Sequence, residues 1–329
     1  MEKAYDIVAL GESLIDFIPA GKNELGIPLF SSNPGGAPAN VLAMFSKLGG
    51  KSAFVGKVGQ DGFGRFLIRH MAEAGIDVSG VQEDPRVPTT LAIVHLDEHG
   101  DRSFRFYRDP GADVMLRAEE VPSRLTGGCR IFHFGGVSLT AEPCRTATLA
   151  SAQAAKKAGA LISCDPNYRP LLWNDEARAA REMKAAVPLA DLLKVSEEEM
   201  TLLTGEKELK SGAEKLAEMG PKAVFITLGA GGAYCFTRRY SALLPTYDVK
   251  TVDTTGAGDA FLGALLWRLR SVSPEGLSAV TGEEWESAIR FANAAGSLTT
   301  TAKGAIPAMP DCEAIELCLR NVPLLRPAE

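Results

Sequence analysis

Asp253-Thr254-Thr255-Gly256-Ala257-Gly258-Asp259-Ala260-Phe261 sets a carboxylate directly behind two glycines at a helix entrance. Residues so arranged can hold a phosphate and deprotonate an alcohol. Polar turn residues run up to Gly258, and Ala260, Phe261, Ala264, Leu265 and Leu269 then recur at helical spacing, so Asp259 falls in the first turn. The N–H groups of Gly256, Ala257 and Gly258 lack partners within such a helix and point toward an anion. Glycine is needed because a side chain would block close approach and forbid the backbone angles. A lone Asp after Gly is more often only a cap. The second glycine, two threonines and the further acid Asp253 shift the reading toward chemistry. A helix amino terminus favours the ionised form, which makes Asp259 a weak base on paper.

Other polar clusters lie where a ligand could meet them. Asn33-Pro34-Gly35-Gly36-Ala37-Pro38-Ala39-Asn40 leads into a helix with the apolar face Val41, Leu42, Met44, Phe45 and Leu48. Its paired glycines let a hydroxylated ligand touch backbone, and Asn40 offers a donor and an acceptor; a plain capped loop is the alternative. Asp16 interrupts the apolar run Leu14-Ile15-Asp16-Phe17-Ile18, and an acid there needs a reason such as accepting hydrogen bonds from sugar hydroxyls. Asp165-Pro166-Asn167-Tyr168-Arg169 follows a strand at its carboxyl end, the edge where open α/β sheets bind ligands. Arg169 there is either a surface arginine or a contact for a transferring phosphoryl group. Ser196-Glu197-Glu198-Glu199 is a capping box, or Glu199 reaches a hydrated magnesium.

Two familiar nucleotide motifs fail. Gly49-Gly50-Lys51-Ser52 ends like a P-loop, but the first glycine of that pattern would fall on Phe45, and Ala53-Phe54-Val55 reads as strand rather than helix. No G-x-G-x-x-G opens the first β-α turn, so a nicotinamide-binding domain has no support.

The elements that must position these residues alternate. Ile7–Leu10, Ser52–Val58, Arg130–Phe134, Leu161–Cys164, Leu192–Val195 and Ala223–Thr227 read as strands, separated by helical patterns over 38–49, 62–75, 143–159, 175–187 and 211–219. Two more helices are expected, at about 259–271 and 283–301. Strand-helix alternation implies β-α-β crossovers and a mainly parallel sheet covered on both faces. Leu14–Phe30 breaks the pattern, as do Thr89–Leu96 and Ser103–Arg108 flanking the turn Asp97–Asp101. Period-two alternation around a Gly-containing turn predicts a small antiparallel flap, serving as a lid or as an oligomer surface.

The 329 residues suffice for a sizeable core. A net charge of -6 argues against a nucleic-acid partner, which would require a basic face. The start lacks a secretory apolar run, and Ile7–Leu10 is too short to cross a membrane. Six scattered cysteines without a C-x-x-C pair read as reduced, mostly buried thiols of a cytoplasmic protein. Histidines 70, 95, 99 and 133 show no zinc-ligand spacing.

Taken together, these pieces resemble the PfkB, or ribokinase-like, family of sugar kinases over nearly the whole chain. Gly35–Asn40 through Gly56–Gly64 and Asp253–Phe261 are similar to its two signatures. Gly11–Phe17, Phe106-Tyr107-Arg108, Ile131–Gly135 and Asp165–Arg169 with Trp173 resemble the fructose-phosphorylating members. The resemblance implies an α/β fold: a ribokinase-like three-layer sandwich, a single domain over 1–329, with lid strands inserted at about 14–32 and 88–108. It implies that Asp259 is the base and that Gly256, Ala257 and Gly258 form the anion hole, with Arg169 near the phosphates. Asp16, Gly35, Gly36, Asn40, Phe106, Arg108 and Asn167 would surround the sugar. Lys194, Glu199, Thr227, Gly229, Gly232 and Asn293 would lie on the nucleotide side. Glu199 would hold magnesium through water, although Ser196 stands where the family's N-x-x-E element has Asn. Asp253, Thr255 and the backbone near Gly304 resemble a monovalent-cation site.

The implied activity is phosphorylation of fructose to fructose 6-phosphate with ATP, Mg2+ and potassium, in a homodimer joined through the lid. The competing activity is 2-keto-3-deoxygluconate phosphorylation, and Arg108 or Arg169 could meet that substrate's carboxylate. A nucleoside kinase fits the flap less well. A catalytically silent sugar-responsive regulator would have no need of Asp259.

Overall fold

A computed structural model describes residues 3–96 and 102–325; the expected turn Asp97–Asp101 lies outside the described residues. In chain order the strands are β1 (Tyr5–Leu10), β2 (Leu14–Lys22), β3 (Pro28–Gly35), β4 (Ser52–Gly59), β5 (Ile76–Asp84), β6 (Leu91–Leu96), β7 (Arg102–Tyr107), β8 (Cys129–Gly135), β9 (Leu161–Asp165), β10 (Leu192–Ser196), β11 (Ala223–Thr227), β12 (Ala233–Thr237) and β13 (Ser241–Leu244). The α-helices are α1 (Ala37–Lys47), α2 (Gly62–Glu73), α3 (Ser123–Gly127), α4 (Cys144–Lys157), α5 (Glu176–Ala186), α6 (Glu197–Thr204), α7 (Leu209–Glu218), α8 (Ala257–Arg268), α9 (Gly282–Thr299) and α10 (Cys312–Asn321).

The large sheet has the order β13-β12-β11-β10-β9-β8-β1-β4-β5. From β11 to β5 its strands run parallel, and β12 and β13 extend one edge antiparallel. Successive side chains of β1 explain the layers. Ile7 and Ala9 pack with α1, α8 and α9 on one face, while Val8 and Leu10 pack with α4, α5 and α7 on the other. Both faces being covered, the central strands are apolar runs rather than alternating ones.

β5, β12 and β13 were not legible as strands. In β5 only Ile76, Gly80 and Asp84 are buried, so no period-two stripe marks it. β12 and β13 are short and partly exposed, and β13 is the edge strand. α3, α6 and α10 are further additions, each short enough to blur into its flanking turns.

The expected flap is a separate four-stranded sheet of order β3-β2-β6-β7. Here β2 pairs antiparallel with β3 and parallel with β6, and β6 pairs antiparallel with β7. Phe17 of β2 meets Phe63 of α2 edge-on at 5.6 Å, fixing the lid's base to the main body.

α1 and α8 pack at backbone distance. A methyl group at Gly263 would lie 2.6 Å from the carbonyl oxygen of Val41 and 2.7 Å from Met44 Cβ. Replacing Gly263 with Val should therefore destabilise the protein by about 1–3 kcal/mol, the usual cost of overpacking. Urea unfolding measures this, and an unchanged midpoint would show that the helices can separate freely.

Candidate active site

α8 begins at Gly256, which sits at φ 77°. There is no room for a side chain there, since a Cβ would lie 2.5 Å from Ala305 Cβ. Asp259 follows in the first turn, as its spacing predicts. The amides of that turn lack intrahelical partners, although Ala257 N–H makes a long 3.3 Å bond to Thr254 O. Beneath Gly258 lies an ammonium: a Cβ on Gly258 would be 3.2 Å from Lys194 Nζ. A positive charge thus backs the helix entrance where an anion would sit.

Lys194 Nζ donates to Asp165 Oδ2 at 2.8 Å, and both side chains are buried. Burial by itself would lower the lysine's pKa, but Asp165, Glu199 and Asp259 together raise it above the ordinary value. Lys194 therefore stays charged. For Asp259, burial is the largest influence and raises its pKa, Asp165 adds to this, and Lys194, Asn40 and Arg169 oppose it. The net shift is upward. A weak base was expected from the helix terminus alone; desolvation outweighs that effect and makes Asp259 a better base than a free aspartate.

The glycine loop comes to the same place. Asn40 Nδ2 donates to Asp259 Oδ2 at 2.8 Å across 219 residues of sequence. Asp16 lies over the loop, for a Cβ on Gly35 would be 2.2 Å from its Oδ2. Burial pushes the Asp16 carboxyl up to about 6, with Arg169 opposing. Arg169 is itself exposed and its charge opposes the upward shift of both Asp16 and Asp259. Phe106 is half-buried in β7, opposite Ala92.

Arg108 is engaged elsewhere. Its Nε and Nη2 bind Asp113 Oδ2 at 2.8 and 2.6 Å, Nη1 donates to Thr140 Oγ1 at 2.7 Å, and Nη2 also reaches Val137 O. The guanidinium is a buried brace at the end of the lid strand. Asp113 also accepts from Thr90 Oγ1, just before β6, so one carboxylate gathers the start and end of the hairpin.

Asn167 is the sole non-glycine residue with positive φ among the described residues, at 45°. Its N–H donates to Asp165 Oδ1, and the neighbouring Tyr168 N–H donates to Glu199 Oε1 at 2.6 Å. Glu199 Oε2 accepts from Ser196 N–H, completing the capping box. The capping-box reading of Glu199 holds, and the same buried acid tethers the Asp165–Arg169 loop to α6.

Of the residues expected on the nucleotide side, Thr227 ends β11 and donates to Val195 O, with Gly229 and Gly232 at positive φ in the turn beyond. Asn293 is buried in α9, and its amide nitrogen donates to the carbonyls of Leu244 and Pro245, both at 3.0 Å. It shapes the loop after β13. Asp253, Thr255 and Gly304 come together: Asp253 Oδ1 accepts from Thr255 N–H and hydroxyl, and Oδ2 accepts from Gly304 N–H at 3.1 Å.

Two residues at the site escaped sequence reasoning, Glu12 and Asp113. Glu12 Oε1 accepts from Ala37 N–H at 3.0 Å, while its Oε2, Ser13 Oγ and Asn40 Oδ1 are buried without a partner. Glu12 stands among Val8-Ala9-Leu10-Gly11 and Leu14-Ile15, so the argument that flagged Asp16 could have flagged it too.

A family model described as pfkB family carbohydrate kinase matches residues 4–312. Fructokinase-1 of Zea mays is 44% identical over 315 residues, spanning 94% of this chain and 97% of its own. A Xylella fastidiosa fructokinase crystallised with ATP superposes with a TM-score of 0.90 at 33% identity, over 96% of this chain and 98% of its own. A Vibrio cholerae fructokinase with fructose, ADP and calcium ion bound gives 0.85 at 37%, over 95% and 99%.

Lys194 stands against three acids, so its replacement by Met leaves buried negative charge uncompensated. The expected cost is about 3–5 kcal/mol of stability, the usual effect of breaking a buried pair from one side. Adding Asp165→Asn to that variant should restore part of it; additive losses in denaturant unfolding would show that the pair is not coupled.

Proposed function

Because the chain belongs to the pfkB family of carbohydrate kinases, we propose that it transfers the γ-phosphoryl group of ATP to fructose, forming fructose 6-phosphate, with Asp259 as the base. One observation carries the assignment of roles: the Asp259 carboxylate touches the sugar loop through Asn40 while standing at the helix entrance backed by Lys194. The acceptor alcohol and the moving phosphate then meet at that carboxylate.

Asp16, Gly35, Gly36 and Asn40 hold the sugar, with Phe106 closing over it and Asn167 beside it. The amides of Gly256, Ala257 and Gly258, together with Lys194 and Arg169, supply positive potential to the phosphoryl oxygens, which is what this transfer chiefly needs. Asp259 takes the alcohol proton as the bond to phosphorus forms, a late requirement in a loose transition state. Thr227, Gly229 and Gly232 border the adenosine, and Asn293 sets the shape of that pocket through Leu244 and Pro245. Magnesium, which Glu199 would hold through water beside Asp165, would supply further positive charge to the phosphates. Asp253, Thr255 and the backbone at Gly304 form the monovalent-cation site, for potassium.

Fructose is preferred to 2-keto-3-deoxygluconate because Arg108 is fully engaged by Asp113, Thr140 and Val137. An acidic sugar would have to rely on Arg169 alone. A silent regulator is disfavoured, since burying Asp259 beside Asp165 raises its pKa at a cost a mere cap has no use for.

The whole chain acts as a single domain in a homodimer. On the lid Leu25, Ile27, Leu29, Phe30 and Tyr107 are exposed, and a second copy of the same sheet would cover them. Six free thiols, five of them buried, suit a cytoplasmic location. Among the described residues no helix is long and apolar enough to cross a membrane.

Asp259→Asn should lose at least about 100-fold in kcat, the usual contribution of a general base. Its unfolding midpoint at neutral pH should be unchanged or higher: a carboxyl whose folded-state pKa is raised loses stability as pH rises through that pKa, and Asn removes the loss. More than a tenth of the parent rate would contradict the role. ADP release on a panel of sugars should be strong with fructose and absent with 2-keto-3-deoxygluconate; the reverse pattern overturns the substrate assignment. Replacing Ile27 and Phe30 with Asp should convert a dimer to a monomer in sedimentation; an unchanged sedimentation coefficient would remove the lid from the interface.

A further inference from the structure

The helix that carries Asn40 has no cap of its own. α1 begins after Gly36, which has no side chain to offer, and its second residue, Pro38, has no N–H. Its first orphan donor is Ala37 N–H, and the group that satisfies it comes from 25 residues earlier, Glu12 Oε1 at 3.0 Å. Glu12 also touches the loop with its backbone: a Cβ on Gly36 would lie 2.4 Å from Glu12 O, and Gly36 itself is held at φ 117°. The side chain is almost wholly buried, with Oε2 lacking a partner.

We propose that Glu12 is the positioning residue of the sugar site, a remote cap that clasps Gly36 and Ala37 so that the Gly35–Gly36 backbone and Asn40 present a fixed surface to the sugar. The proposal rests on reading that loop as the sugar site. Three further observations support it. Asn40 N–H donates to Gly36 O at 3.0 Å, so Asn40 inherits any movement of the loop. A buried acid with an unpaired oxygen is costly to keep, and burial pushes this one up to about 7. A carboxylate at a helix amino terminus is also favoured by the helix dipole, which offsets part of that cost. Among the described residues Glu12 makes no hydrogen bond to Lys194 or Glu199, whose partners are Asp165, Ser196 and Tyr168.

Glu12→Ala and Glu12→Gln separate positioning from general support. Glu12→Ala should raise the KM for fructose about tenfold, as loss of one buried hydrogen bond implies, and leave the KM for ATP within about twofold. Glu12→Gln keeps the carbonyl acceptor and should return the fructose KM to within about threefold of the parent. Hydrogen exchange of the segment 34–40 in the unliganded protein should be faster in the Ala variant and near the parent rate in the Gln variant. An unchanged fructose KM in Glu12→Ala, an equal rise in both KM values, or a Gln variant no better than Ala overturns the proposal. If the Ala variant does not fold, exchange in the Gln variant decides: parent-like protection upholds the cap, and faster exchange overturns it. A parent enzyme idle on fructose would refute the substrate reading, while the exchange comparison would still test the cap.

Discussion

The site depends on how closely α1 and α8 can approach. Both helices begin at the ligand-binding edge, and Gly263 lets Val41 and Met44 come to backbone distance. At that separation a side chain as short as Asn40 spans from one helix start to the other and reaches Asp259 at 2.8 Å. Wider spacing would leave the Gly35–Asn40 loop and the turn at the start of α8 facing separate volumes. Catalytic geometry tolerates little slack, since reacting atoms must be held near 3–3.5 Å. A missing side chain in the helix interior, which costs helix propensity, is what brings the two loops together.

Charge is arranged around that contact with similar economy of space. Lys194 is one buried cation among Asp165, Glu199 and Asp259. Each neighbour has another duty: Asp165 turns the Asn167 backbone, Glu199 holds Tyr168 and caps α6, and Asp259 faces Asn40. Neutralising every acid fully would leave Asp259 a poor base. Leaving the acids without Lys194 would make the cluster untenable, as uncompensated buried charge costs several kcal/mol. Burial, with a smaller contribution from Asp165, keeps Asp259 raised, while the surrounding acids keep Lys194 charged.

Much of this could be read from sequence because glycine pairs, helix-start acids and a carboxylate inside an apolar strand each break a local pattern. Asp16, Gly35, Gly36, Gly256 and Asp259 announce themselves in that way, and the structure brings them together. The alternation of strands and helices likewise follows from periodicity, whereas β5, β12 and β13 have too little one-sided burial to show it. Roles set by three-dimensional partners were not legible. Arg108 looks like a free cation until Asp113 and Thr140 are seen around it, and the amide of Asn293 looks available until Leu244 and Pro245 take it. Glu12 differs in kind: its partner is the single N–H of Ala37, and no local spacing relates residues 25 apart.

Arg108, Asp113 and Glu12 also explain how a half-exposed lid can serve a buried reaction. β6 leaves the main body through Thr89, which Asp61 holds by its N–H and hydroxyl, and through Thr90, which Asp113 holds. β7 returns through Arg108 to the same Asp113. Both ends of the hairpin are thus fastened at one buried carboxylate, and the Phe17–Phe63 contact ties the sheet to the main body at a second point. Anchoring of this kind suits a kinase, in which water competes with the acceptor alcohol for the phosphoryl group and must be excluded. Asp16 lies in β2 opposite Asn33 of β3, and β3 ends at Gly35, directly before Gly36 and the start of α1 that Glu12 caps. The sheet thus runs without a break into the helix that carries Asn40, and Asp16 is held beside Gly35 at that junction.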